Sequence, residues 1–233
     1  MRNLKNITLA SINCVNPRES YKALKYCSKF FNFHDILLFT DDGLSYQDVT
    51  VKNITKLSWE TYNDFVLHLS QYIKTDYVLI IQDDGHIVNP SLWTDEFLNY
   101  DYIGAPWPSE MDWIERQFPS QQEYMKKHFP KNRVGNGGFS LRSKKFLKFS
   151  AQYITCDGIG EDSFLCTRVY DDAIEYGIKF APFDIAVSFS YENPCIELGS
   201  SWNSRIYFDK TKHFGWHGKN FINTHELLSL KDT

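Results

Sequence analysis

The sequence predicts an α/β fold in which helices flank a mostly parallel central sheet. Residues 77–81 (YVLII) form an uninterrupted apolar run, which is typical of a strand buried on both faces, and residues 35–40 (DILLFT) predict a second buried strand. A third run at residues 7–12 is followed by a helical segment that begins at Pro17, which gives the chain a β-α-β start. With 233 residues, of which 42% are hydrophobic, the chain has the size of a single domain.

Composition and charge exclude some classes of partner. Charged residues make up 23% of the chain and the net charge is -4, so it has neither the composition of a disordered protein nor the cationic surface that nucleic acids require. Aromatic residues make up 16% of the chain. Tyrosine and tryptophan suit the apolar faces of sugar rings, although most aromatic residues are expected in the core.

The cysteines and the N-terminus predict a cytoplasmic protein. The five cysteines are odd in number and form no CxxC pair, which favours buried thiols in a reducing compartment over disulfides or a zinc site. The apolar run at residues 7–12 is much shorter than a membrane span of about 20 residues. We therefore expect no integral membrane segment.

Polar residues follow the strand predicted at 35–40. Because open parallel sheets bind ligands at the carboxyl ends of their strands, Asp41 is a candidate contact to a nucleotide. The alternative is that Asp41 belongs to an ordinary turn before Gly43.

A helix is predicted over residues 58–74, where apolar residues recur every three or four positions, and it leads into the strand at 77–81. That strand ends in Gln82, Asp83, Asp84 and Gly85. Neighbouring carboxylates repel each other unless a cation lies between them, and Mg²⁺ or Mn²⁺ would bridge them to the phosphates of a nucleotide. An ordinary turn remains the alternative.

The next elements are shorter. A helical stretch is predicted around residues 93–98, and a short strand in the segment 100–107 (YDYIGAPW). Residues 108–133 are polar and bracketed by prolines, which is typical of a lid or acceptor loop. The alternative is a surface excursion with a helix around residues 120–128.

A glycine-rich segment contains Gly135, Asn136, Gly137 and Gly138. Glycines permit backbone conformations and close approaches that side chains block, so this segment could form the wall of a substrate pocket. It lacks the P-loop and dinucleotide-binding fingerprints. A turn before a strand is equally consistent with the spacing.

Glu161 and Asp162 precede a segment with helical apolar periodicity that ends at Gly177. Either carboxylate could cap that helix. Alternatively, one of them is a general base that removes the proton from an acceptor hydroxyl.

Near the C-terminus, the glycine-flanked His217 is a candidate metal ligand, and Lys219, Arg205 or Lys212 would counter the charge of a diphosphate.

Five motifs in order resemble a family of glycosyltransferase-like proteins catalogued mainly as a domain of unknown function. They have the forms QxDG, YDYIGAPW, GNGGFSLRS, ED and FGxHG, and here they occupy residues 82–85, 100–107, 135–143, 161–162 and 214–218. The resemblance implies a single domain with a GT-A fold. A Rossmann-like nucleotide-sugar-binding half at about residues 1–105 would share one sheet with an acceptor-binding half at about residues 106–225.

The same resemblance implies roles for individual residues. Asp84 takes the position of the last aspartate of the GT-A Asp-x-Asp motif, Gln82 replaces the first, and Asp83 is the variable middle residue. Asp162 maps onto the catalytic base, with Glu161 as the alternative. His217 maps onto the histidine that completes the metal site. The residues expected to line the donor-sugar and acceptor pocket are Asn136, Gly137 and Gly138.

The expected function is transfer of a hexose, with inversion, from a UDP-, GDP- or dTDP-sugar to a hydroxyl of a glycan or lipid-linked glycan in polysaccharide biosynthesis. The expected cofactor is Mn²⁺ or Mg²⁺. Two alternatives remain. One is a catalytically idle module that binds a glycan or nucleotide sugar, because Gln82 departs from the Asp-x-Asp pattern. The other is a sugar nucleotidyltransferase, which would carry a glycine- and lysine-rich N-terminal signature that this sequence lacks.

Overall fold

A computed structural model describes residues 2–108, 131–193 and 211–218, together with the isolated positions 123 and 127. Eleven strands lie in these segments. In chain order they are β1 (Arg2–Leu4), β2 (Ile7–Ile12), β3 (Phe31–Phe33), β4 (Ile36–Thr40), β5 (Thr50–Asn53), β6 (Tyr77–Ile81), β7 (Gly85–Ile87), β8 (Tyr102–Ile103), β9 (Phe139–Ser143), β10 (Ser190–Tyr191) and β11 (Gly215–His217).

Six of these strands form the central sheet, in the order β5-β4-β2-β6-β9-β8. The first four are parallel, β9 runs antiparallel to β6, and β8 runs antiparallel to β9. The predicted α/β fold with a mostly parallel central sheet is therefore confirmed. Because β2 and β6 are central neighbours, the loops at their carboxyl ends open side by side.

Short helices cover the sheet. They are α1 (Pro17–Cys27), α2 (Trp59–Leu67), α3 (Lys144–Ser150), α4 (Glu161–Ser163), α5 (Tyr170–Glu175) and α6 (Phe183–Phe189), with 3-10 turns at Leu69–Gln71, Pro90–Leu92 and Asp95–Asn99 and a π turn at Phe164–Arg168. None of the helices in the described segments is long and apolar enough to cross a membrane.

Alternate residues of β6 pack on opposite faces of the sheet. Leu79 and Ile81 belong to the apolar cluster that contains residues of α1, whereas Val78 and Ile80 belong to the cluster that contains Val66 of α2. Each of these side chains is almost fully buried, which contributes roughly 1.5–3 kcal/mol per residue. Burial on both faces explains why the strand is uniformly apolar.

A second, three-stranded sheet has the order β10-β11-β7. Strand β11 is antiparallel to β7, with His217 opposite Gly85, and parallel to β10. This pairing brings the C-terminal histidine next to the turn that follows β6. A separate parallel pair joins β1 and β3.

Two helices are shorter than the sequence predicts. The helix expected over residues 58–74 ends at Leu67, because His68 leaves helical geometry (φ -103°, ψ 16°), and a 3-10 turn follows. The helix expected after Asp162 is interrupted by the π turn, in which the Val169 amide donates to the Phe164 carbonyl. It ends before Gly177, whose φ is +86°, and Ile174 is 47% exposed rather than part of a buried stripe.

The remaining local predictions have mixed outcomes. The helical stretch expected around residues 93–98 is a 3-10 turn at Asp95–Asn99, and the short strand expected within 100–107 is β8. The helix expected around residues 120–128 lies outside the continuous segments that the structure describes.

Candidate functional site

A cavity of about 600 Å³ opens at the carboxyl ends of β2 and β6. Its lining comes from distant parts of the chain: the loop at residues 12–16, the start of α2, the turn after β6, the glycine-rich segment, the start of α4, and the side chains of Glu192 and His217. Carboxyl strand ends are where open α/β sheets bind ligands.

The turn after β6 is fixed against the glycine-rich segment. The Gln82 amide donates to the Gly138 carbonyl at 2.8 Å, and the Gly85 amide donates to the Gln82 carbonyl at 3.0 Å. A Cβ atom on Gly85 would lie 2.8 Å from the Gly138 carbonyl oxygen, so a side chain does not fit there. The turn therefore presents Gln82, Asp83 and Asp84 in a defined arrangement.

His217 lies at the centre of a set of oxygen atoms. Its Nε2 atom is 3.1 Å from Gln82 Oε1 and 3.3 Å from Asp84 Oδ1. Its Nδ1 atom is 3.2 Å from Glu192 Oε1, although this ion-pair contact is not aligned as a hydrogen bond. Burial lowers the pKa of His217, but Asp84 and Glu192 outweigh that effect and raise the pKa to about 10.

The atoms around Nε2 suit a divalent cation. An amide oxygen, a carboxylate oxygen and an imidazole nitrogen converge there; Mn²⁺ and Mg²⁺ both accept the two oxygens, and imidazole is a ligand of transition-metal ions. Within the described segments, no cluster of three His, Cys, Asp or Glu side chains is arranged to hold a metal ion. A metal at this point therefore depends on Gln82 as a ligand beside Asp84 and His217.

Asp162 lies in the first turn of α4 and is held by the main chain. Its Oδ2 atom accepts a hydrogen bond from the Gly137 amide at 2.9 Å, and its Oδ1 atom accepts one from the Ser163 amide at 2.6 Å. Burial and the neighbouring Glu161 raise the pKa of Asp162 to about 6, although the two backbone hydrogen bonds act in the opposite direction. It does not cap α4, whose N-cap residue is Gly160.

Glu161 has a different environment from its neighbour. Its carboxylate receives two hydrogen bonds of 2.8 Å from the guanidinium of Arg142, a bidentate ion pair in which the side chains are 6% and 1% exposed. The carboxylate of Glu161 is thus fully engaged inside the protein. Among the residues that the structure describes, Asp162 has no cationic partner of this kind.

One face of α2 also lines the cavity. Trp59, Tyr62 and Asn63 are three and four residues apart, so they project from the same side of the helix. Trp59 is 57% exposed, the Tyr62 hydroxyl accepts from Gln82 Nε2 at 3.2 Å, and Asn63 Oδ1 accepts from the Glu161 amide at 2.8 Å. The apolar periodicity at residues 58–74 predicts a helix but gives no indication that these three residues line the site.

The loop after β2 forms the opposite wall. Asn13 Oδ1 accepts hydrogen bonds from the amides of Val15 and Asn16 at 2.8 and 2.7 Å, which shapes the loop. Cys14 lines the cavity, and burial together with contact with Asp41 raises the pKa of its thiol.

The structure brings most of the expected site residues together. Asn136, Gly137 and Gly138 line the cavity beside Gln82, Asp83, Asp162 and His217, and Asp84 reaches His217 from the same turn. Asp41 is exposed and lies behind Cys14, outside the lining. Lys219 and Arg205 lie outside the described residues, and Lys212 is exposed.

Glu192 is a lining residue that the sequence analysis did not find. It follows β10 and reaches His217 because β10 pairs with β11. No local pattern around residue 192 signals this role, since the contact depends on a pairing between distant segments.

The solved structures with similar folds include two of the galactosyltransferase LgtC. The galactosyltransferase LgtC in complex with donor and acceptor sugar analogs has 14% sequence identity and a TM-score of 0.54, covering 96% of this chain and 94% of that chain. A structure of an active-site mutant of LgtC has 14% identity and a TM-score of 0.51, covering 97% of this chain and 94% of that chain. The fold is therefore the GT-A fold, as expected.

The chain belongs to the family described as "Protein of unknown function (DUF5672)", whose model matches residues 43–205. No curated protein matches the sequence. A glycosyltransferase involved in the glycosylation of the major capsid of PBCV-1 has 11% identity and a TM-score of 0.48, covering 97% of this chain and 99% of that chain.

Proposed function

We propose that this protein is a glycosyltransferase that moves a sugar from a nucleotide diphosphate sugar to a hydroxyl of a glycan or lipid-linked glycan, with inversion. One observation carries the proposal. Asp162 contacts Gly137 and His217 contacts Gly138, so a candidate base and a candidate cation site adjoin consecutive residues, whose Cα atoms are about 3.8 Å apart. Transfer of a sugar from a diphosphate requires this proximity.

The charge of the cavity supports a metal-dependent donor site. The described lining residues include four carboxylates, Asp83, Glu161, Asp162 and Glu192, and no lysine or arginine. These carboxylates outnumber the protonated His217, so a diphosphate would be repelled unless a further cation accompanied it. We propose that Gln82, Asp84 and His217 hold Mn²⁺ or Mg²⁺, which as a Lewis acid would stabilise the departing diphosphate. Lys219 remains a proposed further contact to the diphosphate.

Asp162 is the proposed general base, and Glu161 is disfavoured because Arg142 binds its carboxylate. In the reaction the acceptor hydroxyl transfers its proton to Asp162 as its oxygen bonds to the anomeric carbon. The bond from that carbon to the diphosphate oxygen breaks, and the nucleoside diphosphate leaves with the electron pair. A pKa of about 6 keeps Asp162 ionised at neutral pH yet basic enough to accept a proton.

The two halves of the chain contribute to different sides of the cavity. The loop at residues 12–16, the start of α2 and the turn after β6 come from the first half, which we propose binds the nucleotide sugar. The glycine-rich segment, α4 and Glu192 come from the second half, the proposed acceptor side. Asp41 is left as a proposed contact at the rim, beside Cys14.

The four described cysteines, Cys14, Cys27, Cys156 and Cys166, form no disulfide with one another. This supports the proposal that the enzyme works in the cytoplasm, a reducing compartment, in polysaccharide biosynthesis.

Thermal unfolding with nucleotides tests the donor site. Purified protein is titrated with UDP, GDP and dTDP, with and without Mn²⁺, and the best case is repeated with Asp84→Ala and with the exposed control Asp76→Ala. A ligand that binds the folded state raises its stability. We expect one nucleotide to stabilise the wild type and Asp76→Ala only with Mn²⁺, and to lose its effect in Asp84→Ala. No stabilisation by any nucleotide at high concentration would reject the donor site.

A glycan-binding module without catalysis is the second candidate, and Gln82 in place of the first aspartate favours it. It predicts binding of glycans without donor turnover. A sugar nucleotidyltransferase would instead release pyrophosphate from a nucleoside triphosphate. Measuring nucleoside diphosphate and pyrophosphate release separates the three activities.

A further inference from the structure

We propose that the buried pair of Arg142 and Glu161 positions the Asp162 carboxylate for its role in the reaction. The inference rests on the proposed function of Asp162 as the base. Arg142 and Glu161 are positioning residues here, because their contacts reach the reacting atoms only through Asp162.

A closed ring of hydrogen bonds links the pair to Asp162. Asp162 Oδ2 accepts from the Gly137 amide at 2.9 Å, and the Gly137 carbonyl accepts from Ser140 Oγ at 2.9 Å. Ser140 Oγ in turn accepts from Arg142 Nε at 3.0 Å, and the guanidinium donates twice to Glu161. The peptide bond between Glu161 and Asp162 closes the ring. Movement of the ion pair would therefore displace the group that holds Asp162.

The pair is itself held on both sides. The Arg142 guanidinium lies over the Tyr102 ring at 5.2 Å, and the Tyr102 hydroxyl donates to the Gly135 carbonyl at 2.7 Å. The Glu161 amide donates to Asn63 Oδ1 at 2.8 Å. These contacts fix the ion pair relative to β8, the glycine-rich segment and α2.

Stability alone does not account for the pair. Removing two charges from water is unfavourable, and apolar residues of similar volume often replace a buried ion pair with no loss of stability. The packing around it is also close: a Cβ atom on Gly137 would lie 2.6 Å from Glu161 Oε1 and 2.9 Å from Arg142 Nη2. The ion pair provides a fixed hydrogen-bonding geometry beside Asp162, whereas an apolar pair would provide none.

The Glu161 charge also acts on Asp162 directly. After burial, it is the largest influence that raises the pKa of Asp162, and Glu192 acts in the same direction. Within the described segments, the ionisable side chains of Tyr62, Tyr102, Cys156 and Cys166 also interact electrostatically with Asp162. Neutralising Glu161 while leaving these groups in place should lower the pKa of Asp162.

Two variants test the proposal by NMR. The Gly137 amide donates a hydrogen bond to Asp162, so the chemical shift of the amide proton should follow the ionisation of that carboxylate. Asp162→Asn has no carboxylate at this position, so a pH response that disappears in this variant belongs to Asp162. In the wild type without metal, we expect a midpoint near pH 6. In Glu161→Gln, which retains a partner for Arg142, the midpoint should fall below that of the wild type. In Arg142→Met/Glu161→Leu, the amide should no longer follow the titration, because the carboxylate is no longer held.

Kinetics provide the second readout. Both variants should lower kcat, the double variant by about 100-fold, with KM for the donor changed less than about threefold. Phe33→Leu, a core change in β3 outside the cavity, controls for lost stability and should leave the titration unchanged. If both variants show the same titration of the Gly137 amide and the same kcat as the wild type, the proposal is overturned. A wild type that titrates as expected but transfers no sugar would overturn the proposed function and leave the positioning of Asp162 supported.

Discussion

Asp162 and His217 contact neighbouring glycines at the start of β9. Asp162 Oδ2 accepts the Gly137 amide hydrogen bond at 2.9 Å, whereas His217 Nε2 lies 2.0 Å from the point where Gly138 would carry a Cβ atom. Both contacts therefore require glycine, which has no side chain: Gly137 contacts Asp162, and Gly138 contacts His217.

Replacing Gly138 should impair nucleotide binding, whereas replacing Gly137 should impair transfer. In Gly138→Ala the new methyl group collides with His217, so we expect Mn²⁺-dependent nucleotide binding to weaken by about tenfold or more. In Gly137→Ala the methyl group meets the Arg142–Glu161 pair, so transfer should slow by about 100-fold while nucleotide binding persists. Calorimetric titration and initial rates measure the two effects. Identical losses in both variants would contradict separate roles.

The stability of the protein should depend on Asp162 in acid. Its pKa of about 6 in the native state exceeds the ordinary value of 3.8, so the native state keeps a proton that the unfolded state has lost. This contribution is present below about pH 4 and is lost as the pH rises through 6. The stability of the wild type relative to Asp162→Asn should therefore fall by roughly 1–3 kcal/mol between pH 4 and pH 7.

Urea unfolding in the presence of a chelator measures this difference at several pH values. The exposed control Asp76→Asn should follow the wild type across the range. Parallel pH profiles for the wild type and Asp162→Asn would show that burial of Asp162 does not raise its pKa.

Gln82→Glu should strengthen metal binding. The change converts the amide oxygen beside His217 Nε2 into a carboxylate oxygen of the same reach, and hard divalent cations prefer carboxylates. We expect Mn²⁺ affinity, measured by calorimetry or electron paramagnetic resonance, to rise by about tenfold, or about 1.4 kcal/mol. Tyr62→Phe is the control, because it removes only the hydroxyl that accepts from Gln82. Unchanged or weaker Mn²⁺ binding in Gln82→Glu would contradict the assigned ligand set.

Trp59 should contribute to sugar binding without contributing to stability. It is 57% exposed at the cavity mouth, at the first position of a helix whose N-cap, Ser58, already accepts from the Thr61 amide. Trp59→Ala should raise KM for the donor by about tenfold, since an aromatic face adds roughly 1 kcal/mol or more to a stacked contact, while the melting temperature stays unchanged. Trp59→Phe should retain most of the affinity, and equal KM values in all three proteins would exclude a donor contact.

The central strands could be read from the sequence because their signal is local. The run at residues 77–81 coincides with β6, since burial on both faces leaves an uninterrupted apolar pattern, and the run at residues 7–12, which Thr8 and Ser11 interrupt, coincides with β2. Helix lengths are less predictable, because the apolar periodicity persists beyond the end of α2: Leu69 in the 3-10 turn and Ile73 after it are both buried.

The site was predictable only in part, because much of it depends on pairing between distant strands. Gln82, Asp83 and Asp84 follow a recognisable strand, but the contact of His217 with them requires the antiparallel pairing of β11 with β7. The pairing of β10 with β11 likewise brings in Glu192. Asp41 was expected at the site because it follows a strand, yet β4 is one strand further from β6 than β2 is, which leaves Asp41 exposed at the rim.

Sugar transfer by the wild type and Asp162→Asn, measured as acceptor-dependent release of nucleoside diphosphate, tests the central claim most directly. The donor is the sugar of whichever nucleotide stabilises the protein, supplied with Mn²⁺ and a panel of glycans and lipid-linked glycans. We predict transfer by the wild type and a loss of about 1,000-fold or more in Asp162→Asn, with nucleotide affinity within about threefold of the wild type. Full activity in Asp162→Asn, or loss of its nucleotide binding, would contradict the assignment of Asp162 as the base.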